Sequence, residues 1–201
     1  MAFYAIDGIV PVVDPTSFVH PTASVIGDVI IGPNCYIGPG ASLRGDFGRL
    51  VMAGGGNLQD GCIVHGFPDT DTLLDVDAHI GHGAVVHGAT IKRNALVGMN
   101  AVIMDGAVVG ESAFVAAMAF VKAGFTVPDR HLAAGIPAKI LRPLTEQEIA
   151  WKNEGTQEYQ QLTRRCLVSF KEVEPLRTVE PNRPKVSVGT AIPLYKIKGG
   201  G

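Results

Sequence analysis

The sequence predicts an all-β fold, a single-stranded parallel β-helix followed by a C-terminal α-helix, and three observations carry that prediction. Aliphatic residues recur every six positions at Val19, Val25, Ile31, Ile37 and Leu43, and again at Val85, Ile91, Val97, Ile103, Val109, Val115 and Val121. Small residues follow four positions later, at Ala23, Val29, Cys35, Ala41, Ala101, Ala107, Ala113 and Ala119. Glycines punctuate the turns, Gly27, Gly32, Gly38, Gly98 and Gly110 among the 25 in the chain, where the backbone must turn tightly or adopt positive φ. A six-residue period fits neither the helix nor a two-residue alternation, so it reads as short strands joined at corners and stacked coil on coil.

Taken in order, residues 1–17 precede the repeat and are expected to cap the first coil, covering strand edges. The coils then occupy residues 18–140 as one domain. Two interruptions mark the repeat. Gly66 to Thr72 carries turn residues and fits no hexad, so it reads as a loop thrown out of the coil. Ile80 and Ile91 are eleven apart instead of twelve, so the register slips by one residue, placed by the sequence between His82 and His87. Beyond Gly135-Ile136-Pro137-Ala138-Lys139 the composition turns charged and helix-forming, and residues 141–174 are read as a helical segment. Thr145 and Glu148 form a capping-box pattern. Ile149, Tyr159, Leu162, Cys166 and Phe170 offer an apolar stripe, with a kink expected at Gly155. Residues 175–201, ending in glycines, read as an extended, loose tail.

Composition excludes several classes of function. With 201 residues, 46% hydrophobic, the chain can bury one sizeable core. A net charge of −2 and a pI of about 6.3 give no footprint for nucleic acid or an anionic membrane. The apolar runs are too short to span a bilayer, and the N-terminus lacks a basic signal-peptide start, so a cytoplasmic location is expected. Cys35, Cys62 and Cys166 are odd in number and form no C-x-x-C pair, which supports neither a disulfide framework nor a cysteine zinc site. Cys35 falls on a small inward position and is read as a buried thiol.

Chemistry concentrates in Ile63-Val64-His65, Ile80-Gly81-His82 and Val85-Val86-His87, where the repeat places all three histidines at one equivalent position, near a corner and pointing outward. Three neutral imidazoles leave an open position on zinc, which points to a catalytic metal; iron or cobalt would also be accepted. His82 and His87 are five residues apart in extended chain and awkward partners on one ion. His65 and His87 are stacked by a coil plus the loop. His82 then faces a metal of the neighbouring subunit, which a homotrimer closes naturally.

The run Arg44-Gly45-Asp46, Asn57-Leu58-Gln59-Asp60, Ile63-Val64-His65, His79-Ile80-Gly81-His82 and Val86-His87-Gly88 resembles the gamma class of carbonic anhydrases, trimeric left-handed β-helix metalloenzymes. Within it, Ala41 to Arg49, His65-Gly66-Phe67-Pro68, Ala95 to Asn100 and Trp151 to Gln160 resemble the branch of the phenylacetate-degradation and carnitine-operon proteins. The resemblance implies metal ligation by His65 and His87 of one chain and His82 of the next. It implies that Gln59 hydrogen-bonds the metal-bound hydroxide, and that Arg44, Asp46 and Asp60 orient the site and tie subunits together. It further implies hydrolysis of CoA thioesters, with carbon dioxide hydration as the alternative activity of the same hydroxide. The chain departs from the archetypal anhydrase at Phe47, where an acidic residue can stand; Asp69 and Asp71 are candidate substitutes as proton shuttle. His20, His79 and His131 are read as structural. A hexapeptide acyltransferase, using one histidine and no metal, is the competing enzyme class, and a non-catalytic trimeric scaffold the third reading.

Overall fold

A computed structural model describes residues 2–186, Gly189 and 192–197. The chain winds as a left-handed parallel β-solenoid of about seven turns with one long C-terminal helix. Each turn contributes three short strands, one to each face of a triangular prism. The inward column of the first face is Val19, Ile37, Leu58, Ile80, Val97, Val115 and Ala133, paired strand to strand in parallel. Val25, Leu43, Val64, Val86, Ile103 and Val121 form the second. Ile31, Met52, Leu74, Ile91, Val109 and Val127 form the third. All are at most 4% exposed, and the small residues, Cys35 included, fill the corners between columns. Burial drives this arrangement: in Ser24–Ile31 alternate side chains point inward, as a pleated strand half-buried on one face requires. The Cys35 thiol, stripped of solvent, is pushed up to about 11 and stays protonated.

Two sequence expectations about the repeat are corrected. Val85 is not an inward residue; Val86 is, at 0% exposure, while Ile63 is 47% exposed and Val64 takes the core position. His65 and His87 therefore follow their core residues by one, whereas His82 follows Ile80 by two, so the three histidines do not share one repeat position. The register slip also moves. Inward residues run Ile80, Ala84, Val86, Ala89, Ile91, so the missing residue lies at the corner just after His87, not before it. Of the five glycines assigned to turns, only Gly27 has positive φ. Gly32 and Gly98 are needed for a different reason, since a Cβ there would collide with the backbone of the next coil at Ala53 and at Ala117.

The N-terminal residues extend the solenoid rather than merely shielding it: strands Ala2–Tyr4 and Val12–Val13 pair in parallel with Ser24–Ile31. Residues 66–71 form the loop between strands Ile63–His65 and Thr72–Leu74; Thr72, expected in the loop, is instead the fully buried first residue of the second strand. Strands His131–Gly135 and Ala138–Pro143 form an antiparallel hairpin. Helix α1, Glu146–Ser169, then folds back along the first face, opened by the Thr145–Glu148 capping box. It runs unbroken through Gly155, where a kink was expected. Its buried residues are Glu148, Ile149, Lys152, Thr156 and Thr163, so the docking face is largely polar; the expected stripe supplies only Ile149 fully, and Phe170 lies past the helix end. The tail holds a short helix, α2, Leu194–Ile197. The terminal glycines lie outside the described residues. No helix among the described residues is long and apolar enough to cross a membrane.

Candidate functional site

Strands Ile63–His65 and Val85–His87 pair in parallel with His65 opposite His87. Because both histidines follow a core valine by one, both rings project from the second face at the same corner. Their centroids are 5.1 Å apart, and His65 Nδ1 lies 3.0 Å from His87 Nε2. Each ring's other nitrogen meets a carboxylate: His65 Nε2 to Asp46 Oδ1 at 3.0 Å, and His87 Nδ1 to Asp105 Oδ1 at 2.6 Å. Phe47 and Phe67 cover the pair, with ring centroids 5.4 Å from His65 and 5.1 Å from His87. Arg44 Nη1 donates to Asp46 Oδ2 at 2.6 Å, its own side chain half-exposed. Burial pushes the Asp46 carboxyl up, but the Arg44 and His65 hydrogen bonds outweigh it and hold the group below the usual carboxylate range.

This donor set fits a metal ion. Two ligands on a tetrahedral ion with metal–nitrogen bonds of about 2.0–2.1 Å stand about 3.3 Å apart, close to the observed 3.0 Å. A carboxylate on the second ring nitrogen fixes tautomer and orientation, the arrangement typical of metal-binding histidines. Asp60 does the same for His82, at 2.8 Å from its Nδ1. His82, however, stands at the corner of the first face, and the structure does not bring it to His65 and His87. Among the described residues no three histidine, cysteine, aspartate or glutamate side chains of one chain make a metal site.

Gln59 lies on the His82 side. Its Oε1 accepts from the His82 backbone N–H at 3.2 Å, which orients the amide. Its Nε2 then donates to Asn57 Oδ1 at 2.9 Å and meets His79 Nε2 at 2.7 Å. His79 is neutral, its pKa pushed down to about 3 by burial, by the charge of Lys152 and by His82. Asp69 and Asp71 line a surface depression with Asp28, Asp46, Phe47 and Arg49.

Between α1 and the first face lies a cavity of about 500 Å³, lined by Leu96, Phe114 and Leu132 of the coils and by Trp151, Gly155 and Tyr159 of the helix, with Gln59, His79 and Lys152. Its exposed lining residues are His82, Met99 and Ala117, so it opens along the corner that carries His82. Lys152, 1% exposed, donates to Asp77 O at 2.5 Å and to Asn94 Oδ1 at 2.7 Å. Burial lowers its pKa to about 7, against the opposing charge of Asp77.

Sequence reasoning missed Asp105, the covering role of Phe67, the burial of Lys152 and this cavity; His79, read as structural, is held by Asn57 and Gln59. Asp105 had a weak signal: Val86 pairs with Ile103, which puts His87 level with Met104 and Asp105 one position further along the next coil, within reach of the ring. Lys152 and Trp151 had none, because they belong to a helix whose docking angle no repeat encodes.

A parallel solenoid of hexapeptide repeats bearing carboxylate-held histidines at its corners defines a class, the hexapeptide-repeat proteins with gamma-class carbonic anhydrase likeness. Residues 11–45 match the bacterial transferase hexapeptide family. The chain is 56% identical over 192 residues to the carnitine operon protein CaiE of Salmonella newport, covering 96% of this chain and 97% of that one, and it belongs to this family. Among solved structures it is similar to a candidate acetyltransferase of Bacillus cereus, with a TM-score of 0.81, 30% identity, and coverage of 83% and 96%. A hexapeptide transferase family protein of Anaplasma phagocytophilum matches with a TM-score of 0.78, 38% identity, and coverage of 81% and 96%.

Proposed function

We propose that the protein is a metal-dependent hydrolase of CoA thioesters, assembled as a homotrimer with its metal shared between chains. The observation that carries this reading is the His65–His87 pair, nitrogens 3.0 Å apart with a carboxylate behind each ring. His65 and His87 hold the ion from one chain and His82 from the next, with zinc the expected metal. When bound, the metal supplies a water that ionises near pH 7 and a Lewis acid for the thioester carbonyl.

The chain's own residues do the rest. Asp46, Asp60 and Asp105 hold the three imidazoles in tautomer and direction, and Arg44 keeps Asp46 ionised. Gln59 Oε1, held by the His82 N–H, retains a second lone pair with which to orient the attacking water. Phe47 and Phe67 shield the histidine pair from solvent. No strong general acid is required for the departing thiolate, since thiols ionise near pH 8.5. Carbon dioxide hydration is the alternative, limited by the absence of an acid at Phe47.

The relatives described as transferases favour a second reading, acyl transfer from CoA, which would consume the thioester only when an acceptor is present. The test is metal analysis of protein purified without chelators, followed by assay of CoA release from a panel of acyl-CoAs without acceptor. We expect about one metal per chain and chelator-sensitive CoA release, with Gln59→Ala slowing turnover at near-normal metal content. Fast carbon dioxide hydration with no CoA release from any thioester would reverse the order of the readings, and acceptor-dependent release without metal would establish the transferase.

A further inference from the structure

Resting on the hydrolase reading, we propose that the cavity beneath α1 is the acyl pocket, receiving an apolar acyl group from a thioester whose carbonyl lies at the His82 corner, and that Gly155 sets its size. A volume of about 500 Å³ falls within the range of small-molecule sites. Its opening runs along the corner of His82, Met99 and Ala117, which ties it to the site already described.

The lysine and the glutamate in its wall are satisfied away from it. Lys152 Nζ is taken by Asp77 O and Asn94 Oδ1, and the Glu148 carboxylate by Arg142 and Thr145, leaving their methylenes to line the space. With Lys152 turned away, the interior of the wall presents no lysine or arginine to the phosphates of CoA. The occupant is therefore the acyl end and not the nucleotide.

Gly155 supplies independent evidence. A glycine in the interior of a helix costs about 1 kcal/mol relative to alanine. Its φ is not in the left-handed region, and a Cβ built on it meets no atom within 4 Å. Neither backbone conformation nor packing asks for glycine here; what it preserves is open space in the cavity.

Trp151 lines the cavity and is the only tryptophan of the chain, so its fluorescence reports occupancy without turnover. The experiment titrates the full-length protein with S-octyl-CoA, a thioether that cannot be hydrolysed, and with CoA alone. We expect a saturable Trp151 response to S-octyl-CoA and none to CoA alone. Gly155→Leu should weaken that response at least tenfold with an unchanged or raised melting temperature. If leucine disturbs helix docking, Gly155→Ala, which adds only the Cβ, should weaken it about threefold. Undiminished binding of S-octyl-CoA by both variants, or an equal response to CoA alone, would overturn the proposal. Gly155-sensitive binding in a protein that hydrolyses no thioester leaves the pocket standing and removes the hydrolase reading. Octanoyl-CoA turnover that both variants leave unchanged does the reverse.

Discussion

At the scale of single residues, the site depends on groups that a sequence pattern ranks as unremarkable. Lys152 is an example: charged residues on a helix read as solvent-facing, yet it is 1% exposed. Its pKa is about 7 in the folded chain and about 10.4 when unfolded. Between these values the unfolded chain binds a proton that the folded chain does not, so stability rises with pH from about 7 to about 10. The contribution, on the order of a few kcal/mol, is absent below pH 7. His79 acts in the same sense at lower pH, its folded pKa of about 3 making stability fall as pH drops below about 6.5. Melting temperatures measured from pH 7 to about pH 8.5, below the range in which the buried Cys35 and Cys62 thiols oppose it, should climb in the parent and stay flat in Lys152→Met; an equal climb in both would contradict this account. Gly88 carries a second prediction. It has a φ of +55°, and a Cβ there collides with the Asp105 carboxylate that holds His87 Nδ1 at 2.6 Å. Gly88→Ala should cost about 1 kcal/mol of stability and weaken metal retention about tenfold. Retention of metal through dialysis at the parent's level would count against a supporting role for Asp105.

Elements were legible to the extent that their periodicity was unambiguous. The coils of the C-terminal half could be placed directly, because an unbroken six-residue spacing from Ile91 to Val121 phases even the doublets Leu96-Val97, Val102-Ile103 and Val108-Val109 on their second residue. Ile63-Val64 and Val85-Val86 offered two aliphatics in succession, and a strand can be phased on either; the core chose the second in each case. A one-residue change of phase turns every side chain to the other face, which is why His65 and His87 emerge together and His82 apart. Helix α1 was legible at its start, where capping is a local matter, and not along its face, where contacts 58 to 105 residues distant decide burial. The start is testable. Thr145 Oγ1 accepts from Glu148 N–H, Thr145 N–H donates to Glu148 Oε2 at 2.9 Å, and Arg142 meets both carboxylate oxygens at 2.8 Å. Thr145→Ala should cost about 1 kcal/mol in denaturant unfolding. Glu148→Ala should cost more, since it removes the carboxylate that serves both the cap and Arg142. Equal costs would mean that the Arg142 pair contributes nothing to holding the helix.

For the whole molecule, the proposed shared site turns on the placement of the histidines of one chain on two different faces. His65 and His87, backed by Asp46 and Asp105, stand on the second face, and His82, backed by Asp60 and beside Gln59, stands on the first; the proposal makes these the two halves of one site. A triangular prism cannot fold these corners onto each other; in the proposed cyclic trimer the first-face corner of one chain meets the second-face corner of the next. Defects in the two halves then complement. A His82→Ala chain still offers an intact His65–His87 half, and a His65→Ala chain an intact His82 half, so mixed trimers contain interfaces at which all three ligands survive. Each variant alone should bind little metal, because every interface lacks one imidazole. After partial unfolding and subunit exchange, verified by native mass spectrometry, we expect metal to return to at most one interface per mixed trimer, with CoA-releasing activity in proportion. If exchange is verified and neither metal nor activity returns, the halves do not meet across the interface and the shared-site arrangement is wrong.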